Sequence, residues 1–129
     1  MTTTVSTDNG KTVWRLDGLI HREEPKAAIF LANGTREWWR HGRRHRSADL
    51  PAAVKGDGTK EWWVNGLLHR DGDDPAVITP DGIQEWYFND QLHRERDQPA
   101  VVLADGTQEW WYRDKRERGG DMPAVITPG

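Results

Sequence analysis

The chain has no cysteine, so it has neither a disulfide framework nor thiol chemistry. No apolar run approaches membrane-spanning length. The N-terminus lacks the basic-then-apolar order of a secretion signal. Together these absences point to a cytoplasmic location with no integral membrane association. Serine occurs only at Ser6 and Ser47, which leaves little from which to build a hydrolytic triad. Hydrophobic residues are scarce at 35% and charged residues reach 30%, a balance that alone leans toward disorder. The net charge of −3 gives no global drive toward nucleic acid or anionic membrane. Helical periodicity is missing too, because Gly or Pro interrupts every stretch.

Eight tryptophans oppose the disorder reading, since each ring can bury a large apolar area. Their placement is periodic: Trp14, Trp38, Trp62, Trp86 and Trp110 stand 24 residues apart. His21, His45, His69 and His93 keep the same step, as do Arg22, Arg46, Arg70, Arg94 and Arg118, and Ala28, Ala52, Ala76, Ala100 and Ala124. The register never slips. The sequence therefore predicts an all-β, elongated repeat of five 24-residue hairpin units, at about 8–31, 32–55, 56–79, 80–103 and 104–129. These units form one domain, 8–129, behind a polar, mobile lead-in at 1–7. The outer copies are degenerate. Val13 replaces glutamate, Pro25 comes two positions early, and Glu117 replaces histidine, as expected of units that cap an array.

Within one unit, Asn65-Gly66 between EWWV and LLHR reads as a two-residue primed hairpin turn. That turn sets Val64 opposite Leu67, Trp63 opposite Leu68, Trp62 opposite His69 and Glu61 opposite Arg70. It predicts a recurring cross-strand charge pair: Glu61–Arg70, Glu37–Arg46, Glu85–Arg94 and Glu109–Arg118. Thr79-Pro80-Asp81-Gly82 reads as a second turn, and a three-residue loop there sets Ala76 opposite Trp86. Three antiparallel strands per unit would reverse every successive copy. Either the PAVI segments leave the sheet, or the chain coils as a parallel β-helix.

The run aromatic–aromatic–x–Asn-Gly–x–Leu, WWVNGLL at 62–68 and loosely WYFNDQL at 86–92, resembles the MORN repeat and its bacterial variant. The HR…PAVI extension is similar to a subtype of the variant, and the resemblance covers 8–129. It implies β-hairpin units that act as scaffolds and interaction modules. Lipid binding is proposed for some members, others are antitoxins, and no catalytic residue comes with the family.

No residue is predicted to be catalytic, and no cofactor or metal ligand is expected. Trp14, Trp38, Trp62, Trp86 and Trp110 read as structural, and so do His21, His45, His69 and His93, as imidazoles packed on the cross-strand indole and bonded to a loop acid. The asymmetry lies in the second copy, REWWRHGRRHR at 36–46. Arg36, Trp39, Arg40, His41, Arg43, Arg44 and Arg46 are candidate partner-binding residues there. Arg40, Arg43 and Arg44 stand where the third copy has Val64, Leu67 and Leu68, an exchange read as functional and not as packing. The second aromatic row, Trp39, Trp63, Tyr87 and Trp111, is the other candidate surface, either covered or an exposed stripe. The leading expectation is a non-enzymatic module that occludes a partner protein, antitoxin-like or inhibitor-like. Glycan or lipid head-group binding, nucleic-acid binding through 36–46, and homo-oligomerisation stay open. Replacing Arg40, Arg43 and Arg44 with Glu is predicted to abolish binding and spare the fold.

Overall fold

Gly and Pro punctuation leaves room only for very short strands, and that is what forms. The computed structural model describes residues 1–129 and contains strands but no helix. The chain makes two compact units, Met1–Leu67 and Leu68–Gly129.

The first unit holds β1 (Thr3–Asp8), β2 (Lys11–Leu16), β3 (Leu19–Ile20), β4 (Ile29–Phe30) and β5 (Arg36–Glu37). It continues through β6 (Trp39–Arg40), β7 (Arg43–Arg44), β8 (Ala53–Val54), β9 (Lys60–Glu61) and β10 (Trp63–Val64), and β11 (Leu67–Leu68) falls at its boundary. Its sheet runs β1-β2-β4-β5-β8-β9, with β3 on β2 and β6-β7 as a separate hairpin. The second unit holds β12 (Val77–Ile78), β13 (Gln84–Glu85), β14 (Tyr87–Phe88), β15 (Gln91–Leu92) and β16 (Val101–Val102). It ends with β17 (Gln108–Glu109), β18 (Trp111–Tyr112), β19 (Lys115–Arg116) and β20 (Val125–Ile126). Here the sheet runs β12-β13-β16-β17-β20, and β14-β15 and β18-β19 are separate hairpins.

Pairing within each unit is antiparallel, so the parallel coil is not the fold. Nor do the PAVI segments leave the sheet. They form β8, β12, β16 and β20 inside it. The return strand of each hairpin is what turns aside. Within the first unit β4 and β8, and within the second β12, β16 and β20, are separated by one antiparallel strand, so these equivalent strands keep one direction. Tryptophan is the hinge between the two ladders. Trp86 donates its backbone N–H to the Ala100 carbonyl at 2.8 Å, and its own carbonyl accepts from His93 at 3.1 Å. Trp38 does the same between Ala52 and His45, and Trp14 between Ala28 and His21.

Both turn readings hold. Trp39 pairs with Arg44 and Arg40 with Arg43 across a two-residue turn. Asn65 and Gly66 sit at φ 49° and 85°, the left-handed pair a primed turn requires. Val77 pairs with Glu85, which places Ala76 opposite Trp86 around a three-residue loop. The predicted Glu–Arg ladder is absent, because the strand breaks at tryptophan. Glu37 lies between Ile29 and Ala53, Glu85 between Val77 and Val101, and neither faces its arginine. The expected mobile lead-in is instead the paired strand β1, closed onto β2 by Asn9-Gly10, with Val5 opposite Trp14.

Ala28, Ala52, Ala76 and Ala100 are wholly buried, since only a methyl group fits beside an indole ring. Ala27, Trp38 and Ala52 form one such cluster. Ala52→Leu is expected to overpack it and cost about 1–3 kcal/mol, read as a lowered urea midpoint with the slope unchanged.

Candidate functional site

The indoles of Trp38, Trp62, Trp86 and Trp110 are buried, and a buried indole N–H needs an acceptor. Each finds a loop carbonyl thirteen residues earlier: Pro25, Asp49, Asp73 and Asp97, at 3.0–3.1 Å. An arginine covers the ring face. Arg22 lies 3.7 Å from the Trp14 centroid, Arg46 3.8 Å from Trp38, Arg94 3.9 Å from Trp86 and Arg118 3.8 Å from Trp110. The guanidinium then forks onto an aspartate, as Arg94 does to Asp73 at 2.9 and 3.1 Å and Arg118 to Asp97 at 2.8 and 3.1 Å. These bonds hold both carboxyls below the usual aspartate range. Arg46 lacks this partner, because Pro25 occupies the place of the aspartate, and its Nε is buried without a hydrogen bond. That burial lowers its pKa from the ordinary arginine value.

The histidines join hairpins. His21, His45, His69 and His93 each accept, on Nδ1, the backbone N–H of the next turn: His41, Asn65, Asn89 and Arg113, at 3.0–3.1 Å. Since Nδ1 accepts, Nε2 carries the proton. It meets Glu23, Asp71 and Glu95 at 2.9, 2.8 and 2.7 Å, the loop acids expected, and Glu23 is held below its ordinary value by His21. His21 stacks on His41 at 4.3 Å, His69 meets Phe88 at 4.9 Å, and His93 meets Tyr112 at 4.5 Å. The exposed rings of Phe88 and Tyr112 are the residues that sequence reasoning missed. Their column varies between copies and gave no periodic signal.

The second aromatic row is half-buried, neither covered nor an open stripe. Trp39, Trp63 and Trp111 donate their indole N–H to Glu37, Glu61 and Glu109 at 2.9–3.0 Å, and Tyr87 donates to Glu85 at 3.1 Å. Burial, followed by the Glu85 charge, raises the Tyr87 pKa.

The basic segment therefore divides. Arg36, Arg40, His41 and Arg43 are exposed. Arg46 belongs to the Trp38 stack. Arg44, expected as a partner contact, is a packing residue. Its guanidinium lies 5.2 Å from Trp39 and 4.9 Å from Trp63, and its Nε donates to buried Glu37 at 3.3 Å. Open clefts of about 420 and 660 Å³ border the second unit's hairpins. Their Arg94 and Arg118 are already committed to Asp73 and Asp97. Comparison with protein-family models, curated proteins and solved structures gives no match.

Arg44→Glu is expected to destabilise the fold by about 2–4 kcal/mol, because it sets a second carboxylate against buried Glu37. Arg40→Glu is expected to stay within about 0.5 kcal/mol of the parent in the same urea titration. Asp73 offers a pH test. Its folded-state pKa is depressed by Arg94, so the pair contributes stability above the ordinary aspartate value that is lost as pH falls toward the folded value. With the Asp73 side chain 64% exposed, the effect is small, and Asp73→Asn is expected to narrow the stability gap between neutral and acid pH.

Proposed function

We propose that the chain is a non-enzymatic repeat module of the MORN-variant kind, five hairpin units of 24 residues, which binds an acidic patch on another protein. It inhibits that partner by covering its functional site, as an antitoxin covers its toxin. The observation that carries this reading is the pairing of Arg40 directly opposite Arg43 in the β6–β7 hairpin. Like charges facing across a ladder are destabilising. Both side chains are exposed, and neither forms an ion pair within the chain. Arg36 is exposed on β5, the strand before β6 in the chain, with its guanidinium 5.5 Å from the Trp38 ring. Two facing cations held at a cost to folding, with Arg36 nearby in sequence, fit a carboxylate-bearing surface that neutralises them on contact. A preformed β framework loses little entropy on binding.

The recurring His–acid and Arg–Asp pairs support a structural reading of the titratable groups, since each acid on histidine belongs to the loop of its own copy and each aspartate on arginine to the copy before. The aromatic beside the patch is committed as well. The Trp39 indole is tied to Glu37 and covered by Arg44, which disfavours base stacking and hence the nucleic-acid alternative.

Capture from the native host with the purified chain, followed by titration of the captured partner, tests this. The variant Arg36→Glu with Arg40→Glu and Arg43→Glu is expected to weaken the partner at least about a hundredfold, with stability retained. Unchanged affinity rejects the basic face, and binding that tracks added RNA or DNA with a steep salt dependence supports the nucleic-acid reading instead.

A further inference from the structure

The chain displays, at its own junctions, how one hairpin receives the tip of another. The second turn residue, Gly42, Gly66, Asp90 or Asp114, donates its N–H at 2.8 Å to the carbonyl of Ile20, Arg44, Leu68 or Leu92. The first turn residue donates to the imidazole that follows that carbonyl. Where the second residue is aspartate, its carboxylate accepts the N–H of Leu68 or Leu92 at 3.1 Å. The receiving residue has both backbone groups available because it sits in a non-hydrogen-bonded pair of its own hairpin, as Leu92 does opposite Tyr87.

Arg116 stands in that same place, opposite Trp111 on β19, but no turn is docked on it. It is exposed, and its outward N–H and C=O make no hydrogen bond. The next side chain is the exposed carboxylate of Glu117, where the other copies carry imidazole. Beside it β20 pairs only with β17 and leaves Val125 and Ile126 each 37% exposed, whereas β16 pairs on both sides. In the first unit the turn at Asp17 is closed by the chain itself. Asp17 donates its N–H to the Thr2 carbonyl at 2.8 Å, and Thr2 donates back to the Asp17 carboxylate at 2.7 Å.

We infer that Arg116 and Glu117 form a docking site for the tip of a β-hairpin on a different protein. The tip is a two-residue turn with both residues left-handed and Asp or Gly second. Two details sharpen the partner. Arg44, the equivalent of Arg116, lies between its own Trp39 and the Trp63 of the arriving hairpin. The partner therefore carries an aromatic residue two positions before its turn, over the Arg116 guanidinium. The residue just before the turn, Phe88 or Tyr112 at internal junctions, there meets imidazole. Against Glu117 a lysine or arginine takes that place. A second copy of this chain does not qualify, since its turns at Asp17, His41, Asn65, Asn89 and Arg113 are already occupied, and the remaining turn, Asn9-Gly10, carries Thr7 where an aromatic is needed and the carboxylate of Asp8 where Glu117 calls for a cation. The site shares no residue with the Arg36–Arg40–Arg43 face, so either can fail alone.

The test uses a backbone-cyclised hairpin peptide bearing Trp-Lys-Asn-Asp at its turn, and a control with both turn amides N-methylated. Binding to the full chain is followed by amide shifts and calorimetry. The parent peptide is expected to shift Lys115, Arg116, Glu117 and Val125. N-methylation and Glu117→Lys are each expected to weaken it at least about tenfold, whereas Glu117→Gln weakens it less. Equal binding of the methylated control, or shifts confined to other strands, overturns the inference. So does concentration-dependent self-association that Glu117→Lys removes, because the occupant is then a second copy.

Discussion

The structure depends on the burial of four indoles, those of Trp38, Trp62, Trp86 and Trp110. Trp38, Trp86 and Trp110 each carry four constraints at once. In each, the amide belongs to one ladder and the carbonyl to another, the ring N–H is fixed to a loop carbonyl, and the face is closed by a guanidinium. A ring that buries 150–250 Å² contributes on the order of 4–6 kcal/mol at 25 cal/mol per Å². That explains how a chain with 35% hydrophobic residues keeps an ordered fold. It also explains why alanine recurs in phase. Any larger side chain at Ala52 or Ala76 would push the ring out of the position that satisfies the other three constraints.

Local chemistry was legible in the sequence. Asn-Gly named the hairpin turn, Asp-Gly and Pro-Asp-Gly named the three-residue loop, and the 24-residue step gave the element type and both registers. What escaped was the bend at tryptophan. A strand that breaks between Glu85 and Tyr87 leaves no mark in a period-2 pattern, because Glu, Trp and Tyr all suit a pleated ladder. The Glu–Arg pairing failed for that reason. Arginine was instead claimed by the indole face and a distant aspartate, and glutamate by the indole or phenol two residues on. Histidine's role was half legible. The loop acid on Nε2 followed from sequence proximity. The turn amide on Nδ1 lies twenty residues ahead and depends on how copies dock.

The basic segment shows the same limit from the functional side. Arg40, Arg43 and Arg44 look alike on the page, three cations where another copy is apolar. Only packing separates Arg44, held between Trp39 and Trp63 above a buried carboxylate, from its two exposed neighbours. Departures from periodicity thus have distinct meanings. Pro25 leaves Arg46 without its carboxylate. Arg44 exchanges an aliphatic contact for a cation–π one. The facing pair Arg40 and Arg43 offers charge to solvent. Glu117 gives up the imidazole used at every internal junction and presents a carboxylate in its place.

Hydrogen exchange of the eight indole N–H groups, read from an assigned ¹H–¹⁵N spectrum, tests the central claim most directly. The buried rings of Trp38, Trp62, Trp86 and Trp110 are expected to exchange far more slowly than Trp39, Trp63 and Trp111, whose N–H groups bond to side-chain carboxylates. Fast exchange at the four buried rings, or rates that do not separate the two rows, would contradict a fold organised around buried indoles.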